Sequence, residues 1–536
     1  MRLQPEPQEP QSPVPPAPAD AAPKKAAPKP RTILDEDYTS ANLNKQIDPK
    51  FFGYDQARHL LWRAGFGGTE AQIQTLVKWG PVKSVNHLLE YGGIAFDTPK
   101  PDTFDKDIQH PPTAEERQMQ AEARRGQDED KLAKLRLLRQ QIDRDDRVQM
   151  AEMQKWWLKR MIETPRPLEE RMTLFWHGHF ATSFRGVEDS YHMYLQNELF
   201  RTHAVGNYGN LLFAIIRDPA MIKYLNNDQS RKGHPNENLA REIMELFSLG
   251  VGNYTEKDIK EGARALTGYT YQDDEFRFQR QNHDTGSKVI FGREGEMDGD
   301  DFVRAILEQR ACSSYITRKL YNYFVADVPP DERGGDKELD PAQRTVLHEM
   351  ASTLLGSKYD IKPLLKKLFL SEHFYQRRFM NQQIKSPVQL VVGAVRSLLT
   401  PVRDLSILVD ALDLMGQRIF MPPSVKGWDG GRSWINTSTV FVRQNILTFL
   451  LTGKKPQGYD ATAKTEPFDA MAILPPDTHG PSEAVEAVLR VTLGQQPSAA
   501  REALLSYLAE NDNKISSKTV TGLCLLATAM PEYQLC

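Results

Sequence analysis

Apolar residues recur at helical spacing along most of the chain. From about residue 34 to 455, intervals of three and four predict a succession of amphipathic helices. Several begin at Thr, Asp or Pro and end at Gly. Examples are PLEERMTLFWHGHF, PNENLAREIMELFSLG and SYITRKLYNYFVAD. The sequence has neither a regular alternation of strands and helices nor an internal repeat. The pattern therefore predicts a mainly α fold class.

Two segments depart from this pattern. YTYQDDEFRFQRQNHDTGSKVIFG alternates polar with aromatic and β-branched residues, which predicts one inserted β-hairpin with its turn at HDTG, residues 283–286. Residues 113–150 carry mixed charge at helix-favouring positions. They predict a charged insertion, either one long solvated helix or a helix pair, stabilised by ion pairs four residues apart.

Composition divides the chain into four parts. Residues 1–33 are rich in Pro and Ala and predict a disordered tether. Residues 34–455 form the main helical domain, 456–480 a Pro-containing linker, and 481–536 a small C-terminal helical unit. The fold expected is a large multi-helix domain with one hairpin and this appended unit.

Bulk properties exclude some classes of protein. The 536 residues carry a net charge of −3, which gives no electrostatic signature for binding nucleic acid. No apolar run reaches the length of a membrane span, so none is expected. No signal peptide is visible as written, although an upstream start codon would hide one, and the localisation stays open. Of the three cysteines, Cys524 and Cys536 could pair, but nothing requires it.

The segment FWHGHF places His177 and His179 one residue apart. If the helix continues through residue 179, the two side chains point about 160° apart and cannot bind one ion. If the helix ends at Gly178, they can converge. The alternative is one packed and one hydrogen-bonded histidine. We expect His177 to face the 235–247 helix and the hairpin, and His179 to pack.

Two further segments carry acidic and basic groups. In PNENLAREIMELF, Glu237, Arg241 and Glu242 share the polar face of a helix. This face is either solvated and ion-paired or lines a cleft, where Glu242 would be a ligand or general base and Arg241 would orient an anionic group. His283 and Asp284 either form a capped turn or supply a ligand and an acid/base group.

The segment PPSVKGWDGGRSWINTSTVFVRQN has the composition of a binding loop. Its glycines permit close approach of a ligand, and its tryptophans offer flat faces for a sugar ring. A tight loop with buried tryptophans is the structural alternative. The candidate binding residues are Trp428, Asp429, Arg432, Trp434 and Asn436.

Several of these segments together resemble one bacterial family. HLLWRAGFGGT, PLEERMTLFWHGHFATS, NENLAREIMELFSLG, HDTGSKVIFG, YITRKLYNYFV and GWDGGRSWINTSTVFVRQN occur in the order typical of the uncharacterised family catalogued as domain of unknown function 1800. The resemblance spans about residues 55–455, and the ending ATAMPEYQLC is similar to planctomycete-type members. It implies a mainly helical bacterial protein. Members often appear beside a family that resembles secreted sulfatase-like proteins, which suggests export.

Two functional hypotheses follow. The first is a metal-assisted hydrolase acting on an anionic or glycan substrate, with a divalent ion as its cofactor. Its metal ligands are His177, His179, Glu237 and His283, and its catalytic groups are Glu242, Arg241, Asp284 and Arg443. The second is a non-catalytic accessory protein that binds surface polysaccharide through Trp428 and Trp434 and works with an exported sulfatase-like partner.

Overall fold

The computed structural model describes residues 43–96, 104–126, 128–329, 339–459, 466–494 and 496–536. The tether predicted for residues 1–33 lies outside these ranges. Among the described helices, none combines the length and the apolar character needed to cross a bilayer. The three cysteines are buried and free.

Helices dominate the first half of the described chain. They form at the predicted amphipathic segments, and several begin at a residue whose side chain accepts a hydrogen bond from the first turn. In chain order they are α1 (Tyr54–Arg63), α2 (Glu70–Leu89), α3 (Ala114–Gly126), α4 (Glu129–Glu163), α5 (Pro167–His179), α6 (Phe184–Val187), α7 (Ser190–Thr202), α8 (Tyr208–Ile215), α9 (Pro219–Tyr224), α10 (Asn238–Glu242) and α11 (Glu256–Ala265). The π-helical segment Ile243–Ser248 directly continues α10.

The predicted hairpin segment forms two short antiparallel hairpins. Strands β1 (Tyr269–Gln272) and β2 (Glu275–Phe278) pair with each other, as do β3 (Lys288–Ile290) and β4 (Arg293–Gly295). The inserted antiparallel β-structure is confirmed, but it consists of two hairpins, and HDTG lies between them rather than at a hairpin turn. The turns fall instead at Asp273–Asp274 and Phe291–Gly292.

The second half of the described chain is helical throughout. Its elements are α12 (Gly299–Leu307), α13 (Arg310–Phe324), α14 (Pro341–Gly356), α15 (Ile361–Leu370), α16 (Pro387–Leu398), α17 (Leu405–Leu414), α18 (Thr437–Thr452), α19 (Pro481–Thr492), α20 (Ser498–Ala509) and α21 (Ser517–Ala529). The mainly α fold class is confirmed.

The charged insertion forms the helix pair α3 and α4. The first half of α4 is largely solvated, whereas its second half buries residues from Asp146 to Ile162. A change from charged to apolar residues along one helix therefore separates a protruding part from a docked part.

Two hydrophobic clusters make up the core. The first includes residues of α1, α2, α5, α8 and α10–α15, and the second includes residues of α4 and α16–α21. Leu450 of α18, Val488 of α19 and Leu523 of α21 lie in this second cluster. The C-terminal helices thus share apolar packing with the preceding part of the chain.

Helix α5 lies between the two clusters. Phe175 and Trp176 belong to the first cluster, and Leu174 belongs to the second. Every residue of α5 except Gly178 is buried. The end of this helix is therefore a rigid support for whatever packs on Gly178.

Candidate functional site

A cleft of about 520 Å³ opens beside the C-terminal end of α5. Its walls come from α5, the π-helical segment, α13, the segment leading into α16, and the loop 426–434. Cavities of this size accommodate small ligands and short oligomers. Its aromatic and histidine lining residues are Phe175, His179, Tyr323, Trp428 and Trp434.

The loop 426–434 lies directly on the end of α5. Gly427 has a φ of +82°, and a Cβ built there would lie only 2.1 Å from the carbonyl oxygen of Gly178. No side chain fits in that space, so glycine is required for the two backbones to approach. Trp428 then packs over Gly178, with its ring centroid 5.5 Å from that of His177.

Four of the five predicted loop residues line this cleft. Trp428 is half-buried and Trp434 is 6% exposed, while Asp429 and Arg432 are exposed. Asp429 pairs with Lys426 at 3.0 Å. Asn436 does not line the cleft. Its Oδ1 accepts a hydrogen bond from the Thr439 amide at 3.0 Å, so it caps α18.

The two histidines of α5 face different parts of the core. Nε2 of His177 accepts a hydrogen bond from the Phe420 amide at 3.0 Å, and Nε2 of His179 donates to the Phe247 carbonyl at 2.9 Å. Burial lowers the pKa of each imidazole to about 3, so both are neutral near pH 7. The expectation that His177 faces the 235–247 helix was wrong, because His179 makes that contact and also lines the cleft.

The π-helical segment supplies carbonyl groups to this region. The Phe247 carbonyl also accepts from Tyr208 Oη at 2.7 Å, and the Leu246 carbonyl accepts from Tyr315 Oη at 2.7 Å. A π-turn changes the regular helical hydrogen-bond pattern, so side-chain donors can reach its carbonyls. Leu246 itself lines the cleft.

The remaining predicted residues lie outside the cleft lining. Arg241 pairs with Glu237 at 3.2 Å and with Glu256 at 3.0 Å. Partial burial raises the pKa of Glu242, with a further contribution from the Glu245 charge. These residues therefore form an ion-paired helix face, which is the first of the two alternatives in the sequence analysis.

The residues of the HDTG segment have local partners. His283 Nδ1 lies 2.8 Å from the Thr267 carbonyl oxygen, and Asp284 pairs with Arg264 at 2.8 Å. The hydrogen bond from Arg264 lowers the pKa of Asp284 to about 2. Asp284 Oδ1 also accepts from the Gly286 amide, which is the capped-turn alternative of the sequence analysis.

Arg443 is buried on α18, whose apolar residues belong to the second cluster. It donates to the Lys385 carbonyl at 2.8 Å and to Gln534 Oε1 at 3.0 Å, and burial lowers its pKa to about 10. Across the described ranges, no three His, Cys, Asp or Glu side chains are grouped to hold a metal. The structure therefore does not bring the residues of the metal hypothesis together.

Comparison with known proteins gives one result. The family described as "Protein of unknown function (DUF1800)" matches residues 59–535. The chain belongs to this family. The match continues beyond residue 455 through the C-terminal helices, of which the sequence resemblance included only the ending ATAMPEYQLC. No curated protein and no solved structure matches.

The DUF1800 match includes every segment that lines the cleft. Four charged lining residues, Arg171, Lys319, Asp327 and Lys426, were not predicted as site residues. Lys426 directly precedes the GWDGGRSW motif. Arg171 and Lys319 lie in segments that already carried the family resemblance, PLEERMTLFWHGHF and YITRKLYNYFV, and Asp327 follows the second closely. Their position in or beside these segments was the sequence feature that could have identified them. The spacing within a single helix does not show which face borders a cavity.

Charges in the cleft are mainly positive. Arg171, Lys319, Lys426 and Arg432 line it together with the carboxylates of Asp327 and Asp429. Burial raises the pKa of Asp327, and burial together with the like charge of Lys426 lowers the pKa of Lys319. The chain as a whole has a charge of −3, so the cleft differs in sign from the rest of the protein.

Carboxamides complete the polar lining of the cleft. Gln417 Oε1 accepts from the Val388 amide at 3.0 Å, and Gln383 Nε2 donates to the Asn322 carbonyl at 2.7 Å. These hydrogen bonds fix the orientation of the side chains on rigid elements. Such groups both donate and accept hydrogen bonds, which suits a ligand with hydroxyl groups.

Proposed function

We propose that the cleft binds a glycan. The observation that carries this proposal is the half-buried Trp428 at a cavity that is also lined by fixed carboxamides. A tryptophan face packs against the apolar side of a sugar ring, while carboxamides bond to its hydroxyls. This is the polysaccharide-binding hypothesis of the sequence analysis, now assigned to a defined surface.

Metal-assisted hydrolysis is not part of this proposal. His177, His283 and Arg241 have protein partners away from the cleft lining. An exported sulfatase-like partner remains an expectation from the family resemblance, and we assign no contact surface to it.

Replacing Trp428 by alanine tests the proposal. The wild-type protein is screened on an array of neutral, uronate-bearing and sulfated oligosaccharides, and the strongest ligand is titrated by calorimetry. We expect Trp428→Ala to weaken binding at least about tenfold, since a tenfold change in Kd corresponds to about 1.4 kcal/mol. Trp428→Phe should recover part of the affinity because a ring is retained.

The matched control is Trp79→Ala, which removes a half-buried tryptophan that does not line the cleft. It should bind like the wild type. Folding of each variant is checked by circular dichroism, because Trp428 also packs on His177. An array without any bound glycan, or equal binding by folded Trp428→Ala, contradicts the proposal. Shortening of the bound oligosaccharide during incubation would make the cleft an active site.

A further inference from the structure

Lys319 is a cleft cation without a counterion in the described part of the chain. It is half-buried on α13, and no carboxylate there lies within ion-pair distance of its ammonium group. Its ammonium group lies 5.2 Å from the centroid of the Tyr315 ring. The nearby charge of Lys426 has the same sign and disfavours the ammonium form. A partly buried charge in this setting is costly unless an anion approaches it.

Arg171 is the second such cation. It is 2% exposed and lines the cleft, and its Nε has no hydrogen-bond partner among the described residues. Its guanidinium group lies 4.1 Å from the ring centroid of Tyr323. Stacking on an aromatic ring provides some stabilisation but leaves the charge uncompensated.

The carboxylates nearest to Arg171 in sequence are already engaged. Glu170 pairs with Arg160 and Arg201, and Glu169 lies 3.5 Å from Arg166. These ion pairs stabilise the packing of α5 against its neighbours. They leave the cleft-facing arginine of the same helix without an acidic partner in the described ranges.

Both cations lie on the wall of the cleft that α13 forms. Tyr315, Lys319 and Tyr323 are spaced by four residues and therefore lie on one face of α13. Arg171 stacks on Tyr323, whereas the ammonium group of Lys319 lies near Tyr315, about 12 Å away along the helix axis. The cleft therefore offers two separate cationic positions.

The remaining charges do not neutralise this position. Asp429 pairs with Lys426, and His179 is neutral near pH 7. Asp327 makes no ion pair with Lys319 or Arg171 in the described structure, and its carboxylate lies next to the backbone of Gly431.

We infer that Lys319 forms an anion-binding subsite in the cleft, with Arg171 as a second cationic position, and that the glycan bound there carries carboxylate or sulfate groups. The inference rests on the proposed function, because it specifies the chemical class of the same ligand. Lysine supplies a mobile point charge and arginine a fork of donors, and each of these groups suits an oxyanion.

The first test uses inorganic anions and needs no glycan. Melting temperatures are measured in sodium sulfate and in sodium acetate, each against sodium chloride of equal ionic strength. The variant is Lys319→Met, and the control is Lys362→Met, which removes the charge of an exposed lysine on α15. Sulfate also stabilises folded proteins generally, so the variants are compared with one another. We expect one of the two anions to raise Tm by about 1–3 °C more in the wild type and the control than in Lys319→Met.

The second test uses the glycan array. Binding should be confined to acidic glycans, and Lys319→Met should weaken it at least about tenfold while Lys362→Met does not. A comparison of uronate-bearing with sulfated ligands shows which oxyanion the subsite binds.

Binding of neutral glycans that Lys319→Met leaves unchanged would contradict the subsite but not the proposed function. An anion effect that depends on Lys319 without any glycan binding would overturn the proposed function instead. Equal responses of all proteins to every anion and glycan would refute the inference.

Discussion

Two histidines one residue apart have unrelated environments in this protein. His177 contacts the rings of Trp157 and Trp428, whereas His179 stacks on Phe175 and bonds to the Phe247 carbonyl. The helix continues through residue 179, so successive side chains rotate by about 100° and these two diverge. The sequence predicted this divergence on condition that the helix continued. It did not predict which histidine faced which segment.

Burial of His177 makes stability depend on pH. Its pKa is about 3 in the folded protein and about 6.5 in an unfolded chain, so only the unfolded state takes up a proton as the pH falls below 6.5. The contribution of neutral His177 to the free energy of unfolding is fully present above pH 6.5 and decreases as the pH falls towards 3. At pH 5 this loss amounts to about 2 kcal/mol. His177→Gln retains an acceptor for the Phe420 amide and removes the titration.

Urea unfolding at pH 7 and pH 5 measures this effect. Between the two pH values, His177→Gln should lose about 2 kcal/mol less unfolding free energy than the wild type. The control His234→Gln changes an exposed histidine and should follow the wild type. A decrease equal in all three proteins would show that His177 is not the titrating group.

At the scale of elements, local patterns located the helices better than the hairpins. The break within α2 falls at Gly80, which has a φ of +72° and precedes Pro81, and a Gly-Pro pair is a local signal for such a break. The hairpins turn at Asp273, with φ +53°, and at Phe291, with φ +47°. Aspartate tolerates this conformation and phenylalanine rarely does. The sequence therefore has no turn signal at Phe291, and the turn was predicted at HDTG because of its residue types.

The contact between α5 and the loop 426–434 gives an element-scale prediction. Gly427→Ala should lower the free energy of unfolding by about 2–4 kcal/mol, because the methyl group overlaps the Gly178 carbonyl and the positive φ is strained. Gly430→Ala is the matched control. Its φ is +75°, but a Cβ there meets nothing within 4 Å, so a cost of about 1 kcal/mol is expected. Chemical denaturation measures both, and equal costs would contradict the close approach.

At the scale of the whole molecule, α21 packs with helices from the main part of the chain. Leu523 is fully buried in the second cluster, and Lys385 Nζ donates to the Tyr533 carbonyl at 2.6 Å. We expect Leu523→Ala to cost about 2–5 kcal/mol and to shift the main thermal transition of the protein. Calorimetry distinguishes a shift of the main thermal transition from a shift of a separate, minor transition.

The control for this prediction lies on the same helix. Leu526 is 40% exposed, and Leu526→Ala should change Tm little. If Leu523→Ala moves only a small separate transition, the C-terminal helices unfold as an independent unit, as residues 481–536 were assigned from sequence. A shift of the main transition means that they are part of the common core.

The sequence by itself determined the helical class, the positions of most helices, the DUF1800 resemblance and four of the loop residues that line the cleft. These depend on spacing, on turn chemistry and on motifs that are complete within one short segment. Only the tertiary structure decided which faces meet. It placed Arg171 beside Tyr323 of α13, brought Lys319 to the same wall, and left Arg443 in the core. The physical reason is that burial and charge pairing depend on neighbours far apart in the chain, which helical periodicity does not specify.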